Sequence, residues 1–155
     1  MNKLLSTFRS PVKFRLYLLK KLPSLFFWKI KVEEINKYRS KVSIPYCWRT
    51  QNPFRSIYFS ALAGTAELST GLLAFLAVEE QNVSMLVVGV NGRFTKKADS
   101  RTYFICKQGQ KLIDTVDKAI KTGEGQTVKI ISEGFNDNNE LVAEFEFTWS
   151  FKKRG

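Results

Sequence analysis

Residues 52–81 read NPFRSIYFSALAGTAELSTGLLAFLAVEEQ, and the fold turns on how residues 57–80 are read. No proline interrupts that inner stretch, and it is dense in alanine and leucine, which favour helix. About 24 residues at a rise of 1.5 Å make a rod roughly 36 Å long, enough to cross a small domain. Ala61, Leu62, Ala66, Leu68, Leu72, Leu73, Leu76 and Val78 leave the rod apolar on nearly every side, and such a helix is a buried one. Gly64, Ser69, Gly71 and Ala74 are small enough to let other backbone approach closely. One acid, Glu67, stands in the middle.

Outward from this rod the period of the pattern becomes two. Upstream, Trp28, Ile30 and Val32 alternate with Lys29, Lys31 and Glu33. Val42, Ile44, Tyr46 and Trp48 then alternate with polar neighbours, which predicts a hairpin around a turn at 36–40. Downstream, 83–90 is apolar on both faces, as suits a strand covered on both sides or lying at a subunit contact. Residues 101–107 read as its partner. Leu112, Val116 and Ile120 mark a short helix ended by Gly123, 127–132 a further strand, and 136–139 a turn. The last strand has the clearest pattern: Leu141, Ala143, Phe145, Phe147, Trp149 and Phe151 share one face. A face that long and that apolar must lie along something long and buried. The expected class is α+β, a curved antiparallel sheet wrapped around one central helix.

The chain of 155 residues, 44% hydrophobic with three Trp and thirteen Phe, reads as one packed domain. It contains no histidine. Ser-His-Asp and Cys-His catalysis and any His-containing zinc site are therefore excluded. Cys47 and Cys106 have no metal-like spacing and read as buried reduced thiols, which fits the cytoplasm. No metal site is expected. The net charge of +11 is uneven: Lys3, Arg9, Lys13, Arg15, Lys20, Lys21, Lys29 and Lys31 supply +8 of it, with no acid among residues 1–31. Ser10-Pro11 opens a helix over 12–22 with Phe14, Leu18, Leu22, Leu19, Val12 and Leu16 on one side and Lys13, Tyr17, Lys20 and Lys21 on the other. Such a basic amphipathic helix either packs on the domain or adheres through residues 1–22 to an anionic membrane surface. The uncharged run 22–28 is too short to span a bilayer. Residues 1–27 are thus set apart as a basic helical segment, and 28–155 as the main domain. The basic-aromatic run 101–107 is explained by sheet packing, and nucleic acid is not an expected partner.

The central stretch resembles the helix motif of hotdog-fold acyl-CoA thioesterases of the phenylacetate-pathway type. That motif reads Asn, two residues, Gly, two residues, His-Gly-Gly, then an acid fifteen positions after the Asn and a Gly four later. Asn52, Glu67 and Gly71 fall on the Asn, the acid and the last Gly; Arg55 takes the first Gly, Tyr58 the His, and Phe59-Ser60 the Gly pair. The sequence is more similar still to an uncharacterised bacterial hotdog family carrying an Ala-Glu pair, as Ala66-Glu67 does, and the likeness covers about 28–152.

The resemblance implies a homodimer or dimer of dimers that hydrolyses an acyl-CoA or acyl-carrier thioester, with no cofactor besides the CoA of the substrate. It implies three catalytic residues, Glu67 as base or nucleophile, Asn52 to position water and Tyr58 as a hydrogen-bond donor in the place of the His, with the N–H of Phe59 or Ser60 as oxyanion donor. It also implies that acid and donors come from opposite subunits. Helix N-termini carry unsatisfied donors and positive dipole, so the chemistry is sound. Arg93, Lys96, Lys97 and Arg101 are the cations expected to meet CoA phosphates, and Arg55 is a candidate partner for Glu67 across the dimer. The bulk of Phe59-Ser60, where a Gly pair lets an acyl group approach, keeps open a second reading: a hotdog module that binds acyl groups without hydrolysing them.

Overall fold

A computed structural model describes residues 3–155. The elements in order are α1 (Lys3–Arg9), α2 (Pro11–Lys21), α3 (Pro23–Phe27), β1 (Lys31–Ile35), β2 (Ser40–Ile44) and α4 (Phe59–Val78). They continue with β3 (Val83–Phe94), β4 (Thr102–Cys106), α5 (Gly109–Thr122), β5 (Gln126–Phe135) and β6 (Leu141–Lys153). The strands form one antiparallel sheet in the order β1-β2-β4-β5-β6-β3. The sheet curls around α4, which packs against β2, β3, β4, β5 and β6.

The central helix is the rod expected from 57–80, shorter by two residues at each end. Ile57 N–H donates to the Ala98 carbonyl and Tyr58 is extended, so helical geometry begins at Phe59. Hydroxyls pin the rod in place. Ser40 Oγ donates to the Ser69 carbonyl (2.5 Å), Ser69 Oγ meets Ser132 Oγ (2.7 Å), and Trp149 Nε1 donates to Thr70 Oγ1 (3.1 Å). These buried polar groups are all partnered, as an apolar core demands. Among the described residues α4 is the one helix long and apolar enough to cross a membrane, but 56% of that window is buried inside the protein. It is the core helix.

The strand partnership expected for 101–107 is different. β4 pairs with β2 and β5, whereas β3 pairs with β6 alone. The reason is length: β6 runs beside β3 from Val83↔Lys153 to Phe94↔Ala143 and takes up its inner edge completely. The other edge of β3 is left open, and Leu86, Val88, Val90 and Phe94 are exposed. The hairpin forms as β1 and β2 but is shorter than the alternation suggested. Pro45 follows its second strand, so Tyr46 and Trp48 lie beyond the sheet, and Trp28 caps α3 instead. The helix marked by Leu112, Val116 and Ile120 is α5, and Gly123 ends it in the left-handed region at φ 72°.

The N-terminal segment joins the main core. Phe8, Phe14, Leu18 and Leu25 are buried with the residues of α4. The wheel drawn for 12–22 is rotated in the fold: Phe14, Leu18 and half-buried Tyr17 point inward, whereas Val12, Leu16 and Leu19 face out. Phe8 sets this rotation by packing edge-on against both Phe14 (6.2 Å) and Tyr17 (5.8 Å).

Candidate functional site

On α4 the positions not sealed by the sheet recur every three or four residues as Ser60, Gly64, Glu67, Gly71 and Phe75. Two glycines shape this stripe. A methyl added at Gly64 would stand 3.2 Å from the Trp28 ring, so α3 and its cap rest directly on the helix there. A methyl at Gly71 would stand 3.2 Å from Glu67 Oε1 and 3.5 Å from Trp149, so the carboxylate reaches one turn forward along the helix, over Gly71. Glu67 thus faces a cavity of about 450 Å³ bounded by Phe8, Tyr17, Leu72, Met85, Val87 and Trp149. The walls are largely apolar, with Tyr17, Lys21 and Glu67 as the polar exceptions. Lys21 of α2 and Leu22, which joins α2 to α3, also reach this cavity, so the N-terminal segment roofs it.

Within the described residues the Glu67 side chain has no hydrogen-bond donor and no ion pair. Burial, the largest influence on it, raises its pKa above the ordinary carboxylate value because the apolar walls disfavour the anion. The Tyr17 phenol is raised too, first by burial and then by the charge of Glu67. A half-buried acid with a raised pKa and no partner is poised to take a proton. Cys106 offers no competing nucleophile, since burial pushes its thiol up to about 11.

The remaining expected site residues lie elsewhere in the chain. Asn52, Phe59, Lys96 and Lys97 line a second cavity of about 230 Å³ at the N-terminal end of α4. The Asn52 amide is spent on its own loop: its oxygen accepts from Phe54 N (2.9 Å) and Ser56 N (3.2 Å), and its nitrogen donates to Ser56 Oγ (3.0 Å). That loop holds Arg55 at φ 59°, the position where the resembled motif has glycine. Tyr58 is exposed and packs edge-on against Phe59. The N–H groups of Phe59 and Ser60 have no acceptor among the described residues. Glu67 is eight residues further along, about 12 Å of helix. Glu67 and Phe59 therefore line separate cavities within one chain.

The four expected cations do not form one cluster. Arg93 pairs with Glu144 (2.8 Å) across β3 and β6, and Lys96 pairs with Glu140 just beyond the ends of those strands, while Arg101 donates to Ser43 Oγ (3.3 Å) on the other side of the sheet. Lys97 makes no ion pair among the described residues and lines the second cavity beside Lys96. The sequence reading missed Phe8, Tyr17 and Lys21 as neighbours of Glu67. A wheel centred on Phe14 and Leu18, the two largest residues one turn apart, would have brought Tyr17 and Lys21 to the same side.

The family described as a domain of unknown function, DUF4442, matches residues 13–151. No curated protein matches the chain in sequence. Solved structures do resemble it. A candidate thioesterase from Shewanella oneidensis has a TM-score of 0.75 at 18% identity, over 97% of this chain and 98% of its own. A Pseudomonas aeruginosa protein of unknown function, named a probable thioesterase, has 0.77 at 17% identity, over 94% and 97%. A thioesterase from Haemophilus influenzae has 0.71 at 14% identity, over 93% and 91%. At such identities the likeness is one of fold, and that fold is the hotdog. Both the family match and these superpositions take in much of the N-terminal segment, where the sequence likeness began only near residue 28.

Proposed function

We propose that this chain, which belongs to the DUF4442 family, is a thioesterase-like protein that hydrolyses an acyl thioester with Glu67 as the base. One observation carries the reading: a carboxylate with no partner among the described residues, its pKa raised by burial, faces a largely apolar cavity of about 450 Å³ on the central helix of a hotdog. The cavity is of the size and polarity that take an acyl chain. Glu67 would draw a proton from water as the water oxygen adds to the thioester carbonyl. Collapse of the tetrahedral intermediate breaks the C–S bond, the thiolate takes up the proton, and acid and thiol leave. The names of the Shewanella, Pseudomonas and Haemophilus proteins point to the same chemistry for those proteins.

The oxyanion donors are the N–H groups of Phe59 and Ser60 of a second copy. Separation of Glu67 from the α4 N-terminus within one chain supports that arrangement, as does the open apolar edge of β3, which a second β3 would complete. Lys96 and Lys97, at the mouth of the α4 N-terminal cavity, are the cations suited to CoA phosphates. The competing reading, binding without hydrolysis, draws on Phe59, whose ring stands where the resembled motif keeps a glycine. Thiol release from short, long and aromatic acyl-CoAs decides between the two. Hydrolysis above buffer supports the enzyme; binding of a non-hydrolysable acyl-CoA with hydrolysis at the buffer rate supports the binding module.

A further inference from the structure

The outward side of α2 is not used by the core. Val12, Leu16 and Leu19, spaced as one helical stripe, are 70%, 54% and 50% exposed. At 100° per residue Arg15 flanks this stripe on one side, and Lys13 and Lys20 flank it on the other. All three are exposed, and residues 3–31 contain no acid. Arg15 links this side of α2 to α3. The Arg15 guanidinium sits 4.7 Å from the centre of the Phe26 ring, and the neighbouring Phe27 packs edge-on against Trp48 at 6.0 Å with Arg49 over its face. Trp48, in the loop after β2, is 71% exposed.

We propose that this face of α2, together with Phe27 and Trp48, seats the protein on an anionic lipid surface. Three arguments select that occupant. An aliphatic stripe bordered by cations matches a bilayer interface, where acyl chains lie beneath negative headgroups. The stripe has no hydrogen-bonding group with which to read a nucleic acid. A second copy docked here across a two-fold would set Lys13, Arg15 and Lys20 against their own equivalents, which like-charge repulsion disfavours. An exposed indole such as Trp48 is the side chain expected at the headgroup level. The stripe differs from the one the sequence suggested: Phe14 and Leu18 are spent on the core, and the other half of the apolar arc is free. Meanwhile the inner side of the same helix, through Tyr17 and Lys21, lines the Glu67 cavity. Seating α2 on lipid would therefore hold that cavity beside a source of acyl chains.

The test uses the whole chain with vesicles of 30% phosphatidylglycerol in phosphatidylcholine and with vesicles of phosphatidylcholine alone. Flotation should carry the protein with the anionic vesicles only, and added salt should release it. Replacing Lys13, Arg15 and Lys20 together by glutamine should lower partitioning by on the order of 100-fold, since each cation near such a surface contributes roughly five-fold. Leu16→Ser with Leu19→Ser should lower it by at least about 10-fold. Because these side chains are exposed, the variants should melt as the wild type does. If one does not, the blue shift of Trp48 emission on vesicles, lost in Trp48→Phe, decides instead. Failure of the wild type to float at low salt overturns the proposal, as does equal partitioning of the variants. A change in oligomeric state on replacing Leu16 and Leu19 would assign the stripe to self-association, and tighter binding of duplex RNA than of vesicles would assign it to nucleic acid. None of these readouts depends on thioester hydrolysis.

Discussion

Glu67→Gln keeps the side chain's volume and removes its charge, so it separates catalysis from packing. If Glu67 is the base, the rate of thiol release should fall by about 10² to 10⁴-fold, a rise of about 2.7 to 5.5 kcal/mol in the barrier. Binding of a non-hydrolysable acyl-CoA should persist, because the cavity walls are untouched. Stability supplies a second readout whose sign follows from the geometry. The carboxylate has no hydrogen bond or ion pair within the described residues, so glutamine breaks no pairing. Burial raises the folded-state pKa above 4.5. The folded chain thus retains a proton that the unfolded chain has already lost, and stability falls as pH rises from about 4.5 through the raised value. Glutamine escapes that loss. The variant should melt at or above the wild-type temperature at pH 8, with the difference vanishing toward pH 4. Wild-type turnover in Glu67→Gln would refute the catalytic assignment. A lower melting temperature at pH 8 would refute the unpartnered acid and point to Arg55 of a second copy as its partner.

Light scattering at micromolar concentration should return about twice the 17.8 kDa chain, and Leu86→Lys with Val90→Lys should shift it to monomer; a monomeric wild type would remove the composite site. Charge reversal at Lys96 and Lys97 should raise KM about 10-fold with kcat little changed, and unchanged kinetics would take both out of the site. Deleting residues 1–22 strips Phe8, Phe14 and Leu18 from the core at about 2 kcal/mol each, against a total stability of about 5–15 kcal/mol. The truncated chain should therefore be unfolded or nearly so by circular dichroism. A cooperative melt like that of the full chain would show that the segment is an appendage.

The sequence by itself determined those features whose cause is local. The all-round apolar surface of 59–78 dictates a buried helix, and the alternation through Phe145, Phe147, Trp149 and Phe151 dictates a strand laid along it. The isolation of Glu67 among apolar neighbours is equally legible in the chain. What only the tertiary structure decided are pairings and rotations, which depend on residues far apart in sequence. β3 and β4 looked like partners because they are consecutive, yet the length of β6 claims β3 entirely and places β4 between β2 and β5. Val12, Leu16 and Leu19 looked equivalent to Phe14 and Leu18 on a wheel of 12–22. A wheel gives the width of an apolar arc but not which part of it the core takes. Phe8, from a different helix, settles that by wedging against Phe14 and Tyr17, turning Tyr17 toward Glu67 and Leu16 toward solvent.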